Sequence, residues 1–219
     1  MDSIFSKRIL AQLLLALVSM ASVYATRVLD FGDKFTMIFI ASASYLLIAL
    51  LAGGLKSWYG RFVLAGLFFC FLGDILGLTD FLLGLYAFLA AHLFLIAAFT
   101  LRGINNRYFL VSVFVFGFIT IFALAGFFDH IQEQERLAVI AYAMVITLMM
   151  FFASGTFGYR KSPGAFLLLT GATLFYFSDL LLAGWHFMGD QFAYGHLCYF
   201  FYYPGVILLA FSAGDRTTR

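Results

Sequence analysis

The sequence predicts an all-α fold, a polytopic membrane bundle of eight transmembrane helices with a candidate parallel 4+4 internal repeat. Three observations carry this. First, of 219 residues 64% are hydrophobic and 11% charged, against about 25% charge in a soluble domain, so the chain lacks the polar surface to cover a globule. Second, the apolar residues fall into eight long runs, none alternating with period two, which argues against a β-barrel. Third, with the N-terminus placed in the cytoplasm, ten of the thirteen Lys and Arg fall at cytoplasmic ends and only Arg27, Lys34 and Arg136 fall opposite. That bias fits an even number of spans with both termini cytoplasmic.

At about 20 residues per span plus short loops, the chain forms a single integral membrane domain over 1–219. The runs extend over residues 9–26, 35–52, 59–78, 81–101, 108–127, 137–154, 164–183 and 191–213. Lys7-Arg8 ahead of the first run, with Val23-Tyr24-Ala25 at its end, has the outline of a signal peptide. The run is long for one, and an uncleaved first span is expected. Between the runs stand ordinary breakers: Gly53-Gly54, Gly77 to Asp80, Gly103 to Asn106, the polar stretch Asp129 to Arg136, Ser162-Pro163-Gly164 and Gly184 to Asp190. Pro204, inside the last run, is expected to kink or break that helix.

Two carboxylates stand inside apolar runs: Asp74 in Phe71-Leu-Gly-Asp74-Ile-Leu and Asp179 in Phe177-Ser-Asp179-Leu-Leu. A charge there costs at least ~2.5–3.5 kcal/mol on insertion scales, which marks both as functional candidates. Each precedes a Phe-x-x-x-His-Leu, Phe88 to Leu93 and Phe192 to Leu197, so spans three and four are expected to correspond to seven and eight, with His92 matching His196. Both Asp lie about 15 residues from the cytoplasmic ends of their spans, ~20 Å along a helix, and are expected to meet between the halves. Two carboxyls sharing a dry site divide their protons, giving a general acid beside a general base. Local satisfaction of each Asp, as a cap near Gly77 and Asp80 for instance, is the plainer alternative.

His92 is mid-span. His196, Tyr199 and Tyr203 recur at helical spacing on one face, either lining a cavity or forming an interfacial aromatic belt. Lys34, in the loop before span two, either contacts a lipid phosphate or is a solvated charge near Asp30 and Asp33. His186 and Asp190 are expected in a solvent-facing loop, and Cys70 and Cys198 as small buried side chains. The two Asp and two His could bind zinc, but no H-x-x-x-H pair supports it, and no metal or cofactor is expected. No basic cluster points to nucleic acid.

Leu67-Phe-Phe-Cys-Phe-Leu-Gly-Asp74, Gly84-Leu-Tyr-Ala-Phe-Leu-Ala-Ala-His92-Leu-Phe and Gly171-Ala-Thr-Leu-Phe-Tyr-Phe-Ser-Asp179 together resemble the YhhN family of membrane proteins. Its characterised members are lysoplasmalogenases. The resemblance implies eight spans, essential carboxylates at Asp74 and Asp179, and a functional Lys34. The chain departs from the family pattern at Phe35, where Pro is common, and at Tyr202-Tyr203-Pro204-Gly205-Val206, which lacks a Gln after the tyrosines. What the resemblance implies is hydrolysis of the sn-1 vinyl ether of a lysophospholipid drawn from the bilayer, with Asp74 and Asp179 catalytic and Lys34, His92, His196, Tyr199 and Tyr203 binding substrate. Residue chemistry alone equally allows a proton-coupled transporter with the two Asp as a relay. Short loops and few charges favour a bacterial inner membrane.

Overall fold

In a computed structural model, which describes residues 2–189 and 194–215, the described chain is all-helical. Eight α-helices follow in order: α1 (Asp2–Arg27), α2 (Lys34–Ala52), α3 (Trp58–Leu76), α4 (Phe81–Thr100), α5 (Asn106–Phe127), α6 (Glu133–Tyr159), α7 (Pro163–Met188) and α8 (His196–Ser212). Asp190, Phe192, Arg216 and Arg219 lie outside the described residues.

The helix starts follow from capping chemistry. Asp33, Ser57, Asp80 and Ser162 each accept the backbone N–H three residues on, and Asn105 accepts from Arg107 and Tyr108. These side chains satisfy donors that have no partner within the helix. Pro163 occupies the first turn of α7, where its missing N–H costs nothing. Gly53 ends α2 and Gly189 ends α7, both in left-handed conformation.

Three boundaries differ from the sequence expectation. The polar stretch before residue 137 is partly helical: Glu133 and Glu135 form the first turn of α6, where carboxylates meet the positive end of the helix dipole. Gly184 does not end α7. It is buried, and a Cβ there would lie 3.1 Å from the Tyr194 ring, so this glycine admits a neighbour instead of making a turn. His186 is accordingly helical, its ring stacked on Phe81 at 3.6 Å between centroids. Lastly, α8 begins only at His196 and has 17 residues, and it runs through Pro204 without a break.

Seven helices are long and apolar enough to cross a membrane, and α8 is a shorter apolar helix. The outer faces are apolar too: Phe114, Phe118, Ile121 and Phe122 of α5 are each at least 70% exposed. In water such a surface would aggregate, so the chain is an integral membrane protein.

Packing within the bundle recurs. α1 lies on α2 as α5 lies on α6, α3 on α4 as α7 on α8, and α2 on α3 as α6 on α7. Across the halves, α4 packs on α6 as α8 packs on α2. This is the neighbour pattern of two four-helix units related by a pseudo-two-fold axis. Small residues bring the paired helices close. A Cβ on Gly66 would meet the Ala91 carbonyl and Leu95, and one on Gly171 would meet the Gly205 carbonyl and Leu209. Gly66 and Gly171 each precede their Asp by eight residues, so α3 and α7 correspond as expected. In α4 and α8, however, Ala91 and Leu95 match Gly205 and Leu209. That register pairs His92 with Val206 and not with His196, which corrects the expected histidine correspondence. The reason is the two extra turns of α7, which displace the start of α8 relative to that of α4.

Candidate active site

A cavity of about 110 Å³ opens between the two halves. Asp74 enters it from α3 and Asp179 from α7, with Lys34 at the end where α2 begins. Phe81, Phe88, Trp185 and Tyr202 make up much of the apolar wall. Its lining, apolar and aromatic with a few convergent polar groups, is that of a small-molecule site.

Each carboxyl is held by a tyrosine from the preceding helix. Tyr45 of α2 donates to Asp74 Oδ2 at 2.8 Å, and Tyr142 of α6 donates to Asp179 Oδ2 at 2.8 Å. Asp74 Oδ2 also accepts from Ser42 Oγ at 2.5 Å. Since Ser42 spends its one hydrogen there, Tyr203 is the donor in the 3.2 Å bond between its hydroxyl and Ser42. Neither Asp caps a turn. Both bridge between helices, as polar groups inside a membrane must.

His92 is fully buried behind Asp179, not among the residues lining the cavity. Its Nδ1 lies 2.6 Å from the Phe88 carbonyl, which can only accept, so Nδ1 carries a proton. Nε2 has no hydrogen-bond partner and faces Asp179 Oδ2 at 3.5 Å. Two bare acceptors in that position would repel, and a proton held by either relieves the contact. The Asp179–His92 pair is therefore built around one proton.

The other sequence candidates divide. Tyr199 lines the cavity, and its ring stacks on that of Tyr203 at 6.1 Å; Tyr203 reaches Asp74 through Ser42. His196, the first residue of α8, does not line the cavity, so the two Asp and two His do not converge as a metal would need. Among the described residues no group of three or more His, Cys, Asp or Glu is placed to hold a metal ion. Cys70 and Cys198 are free and buried.

Sequence reasoning missed Ser42, Tyr45 and Tyr142. The available signal was depth: Tyr45 and Tyr142 lie well inside their helices, away from the interface where tyrosine is commonplace. Ser42 and Tyr45, three apart, share one face of α2. Arg27, the last residue of α1, was also missed. Its guanidinium lies 3.7 Å from the centroid of the Tyr199 ring and 5.5 Å from that of Trp185, both in the cavity wall. Beside it, Asp33 is occupied with capping. The Thr36 N–H and hydroxyl each donate to it at 2.8 Å and hold its carboxyl below the usual carboxylate range.

Fold and site thus define a class: a polytopic helical membrane protein with a pair of interhelical carboxyls facing one cavity between pseudo-symmetric halves. The YhhN family model matches residues 34–213, and the chain belongs to the YhhN family. No curated protein and no solved structure matches the chain.

Proposed function

We propose that this protein is a lysoplasmalogenase-like membrane hydrolase that cleaves the sn-1 vinyl ether of lysoplasmalogens to a fatty aldehyde and a glycerophospho-alcohol. The observation that carries the proposal is the shared cavity of Asp74 and Asp179, each carboxyl positioned by a tyrosine hydroxyl. Family membership supports it.

Vinyl ether cleavage needs a proton on carbon and then a water on the resulting cation. Asp179, in the pair built around one proton, is the acid. Its proton adds to the β-carbon of the double bond and leaves an oxocarbenium ion at the α-carbon. Asp74 accepts two hydroxyl hydrogens, an arrangement suited to a carboxylate, and is the base. It stabilises the cation and takes a proton from water as the water oxygen bonds to the α-carbon. In the collapse of the hemiacetal, Asp74 returns that proton to the leaving glycerol oxygen and Asp179 takes the hemiacetal hydroxyl proton. The aldehyde departs with both carboxyls reset. The logic is that of paired carboxyls in glycosidases, which also pass through oxocarbenium-like states. The alkenyl chain lies along the phenylalanine-rich wall and the phosphate near Lys34. We assign the cavity's Lys34 end to the non-cytoplasmic face of a bacterial inner membrane, with both termini cytoplasmic.

The test is aldehyde release by detergent-purified protein given a lysoplasmalogen, with the saturated-ether lysolipid as control. Wild type is expected to release aldehyde from the vinyl ether alone, and Asp74→Asn and Asp179→Asn each to lose more than ~100-fold. No aldehyde from a monodisperse preparation, or near wild-type turnover by both variants, would overturn the proposal.

A further inference from the structure

We propose that Arg27 and Lys34 together form a binding site for a phosphate group at the mouth of the cavity, with the Arg27 guanidinium as the bidentate ligand and Lys34 as the second cation. This deepens the hydrolase reading and rests on it for the identity of the ligand, the phosphate of a lysophospholipid.

Three observations carry it. First, Arg27 Nε and Nη2 are buried and have no hydrogen-bond partner. These two nitrogens form the side-on edge of the guanidinium, the fork whose spacing matches two oxygens of one phosphate. A buried charged donor left unmade is costly, and a ligand anion removes that cost. Second, the fork is already oriented. The guanidinium is packed over the Tyr199 ring at 3.7 Å, and Trp185 lies at 5.5 Å, so a ligand fixes little further side-chain freedom. Third, among the described residues neither cation is paired with a carboxylate. Arg27 ends α1 and Lys34 begins α2, so the two cations stand at the two ends of one short loop. Asp33 is turned to its own helix cap. Two like charges flanking one loop, with no carboxylate paired to either among the described residues, favour an anionic ligand. Because Tyr199, Trp185 and Lys34 all belong to the wall that includes Asp74 and Asp179, one molecule can place its phosphate on the cations and its ether at the carboxyls.

The pair therefore selects substrate by its phosphate and leaves the chemical step alone. The experiment compares a lysoplasmalogen with the alkenylglycerol that lacks the phosphate, on the purified full-length protein. Arg27→Gln is expected to raise KM for the lysoplasmalogen about 10- to 100-fold, with kcat within about twofold and no change on the alkenylglycerol. Arg27→Lys keeps the charge and loses the fork, so it falls between and serves if the Gln variant does not fold. Equal losses on both substrates would make Arg27 a structural clamp on Tyr199 and overturn the proposal. A second readout needs no turnover. Quenching of tryptophan fluorescence (Trp185 lines the cavity) reports binding of the saturated-ether lysophospholipid against the matching alkylglycerol. Phosphate-dependent binding lost in Arg27→Gln supports the site even if no aldehyde is ever released, whereas binding indifferent to Arg27 overturns it while leaving the hydrolase reading standing. Inorganic phosphate identifies the source. Competition at millimolar concentration assigns the site to free phosphate, and none assigns it to the lipid headgroup.

Discussion

Tyr45 and Tyr142 perform one task with different redundancy. Asp74 keeps a second donor, Ser42, if Tyr45 is lost; Asp179 is left with His92, whose Nε2 stands 3.5 Å away and makes no hydrogen bond. Tyr142→Phe is therefore expected to lower kcat by up to about tenfold, the worth of one well-made hydrogen bond, and Tyr45→Phe by less than about threefold. Rates of aldehyde release with matched thermal stability would check the order, and a larger loss in Tyr45→Phe would show that Asp74 is the more dependent group. These residues were legible only in part. Asp74 and Asp179 stand out in the sequence because charge is rare in a span, whereas a serine or tyrosine among thirty phenylalanines does not.

At the scale of the helix, small residues set how closely elements approach. A Cβ on Gly171 would come within 2.8 Å of the Gly205 carbonyl, and that backbone has no space to retreat. Gly126, on the outer side of α5, has no atom within 4 Å of the same position. Gly171→Ala is expected to cost about 1–3 kcal/mol by forcing α7 from α8, and Gly126→Ala to add up to about 1 kcal/mol through helix propensity. Thermal unfolding in detergent should move in opposite directions for the two. Element starts lay close to the breakers because capping is local: Asp33, Ser57, Asp80, Asn105 and Ser162 each satisfy the first turn of the helix that follows. The register of α8 was not readable. The matching Phe-x-x-x-His-Leu strings fall ten residues from the correspondence that packing selects, since sequence similarity carries no record of how far α7 continues.

For the whole molecule, the pseudo-two-fold arrangement puts the paired carboxyls between halves and the end that carries Lys34 at one face of the membrane. Single cysteines at Leu29, between α1 and α2, and at Leu55, between α2 and α3, should label from opposite sides in a background lacking Cys70 and Cys198. Leu29→Cys is expected to react from outside the cell. Labelling of Leu55→Cys from outside instead would invert the assigned orientation and place the cavity mouth towards the cytoplasm.

By itself the sequence determined that the chain is helical and that it belongs in a bilayer, and it singled out the two carboxyls that the cavity brings together. These follow from composition and from the 20-residue reach of a span, which act over a single segment or over the chain as an average. Tertiary structure alone decided that Tyr45 and Tyr142 hold the two Asp, that His92 stands behind Asp179 while His196 stays off the cavity, and that Arg27 packs on Tyr199. Each of these depends on the rotation and register of one helix against another. Those are set by backbone approach at glycines such as Gly66 and Gly171 and by the length of α7, quantities that no single segment encodes.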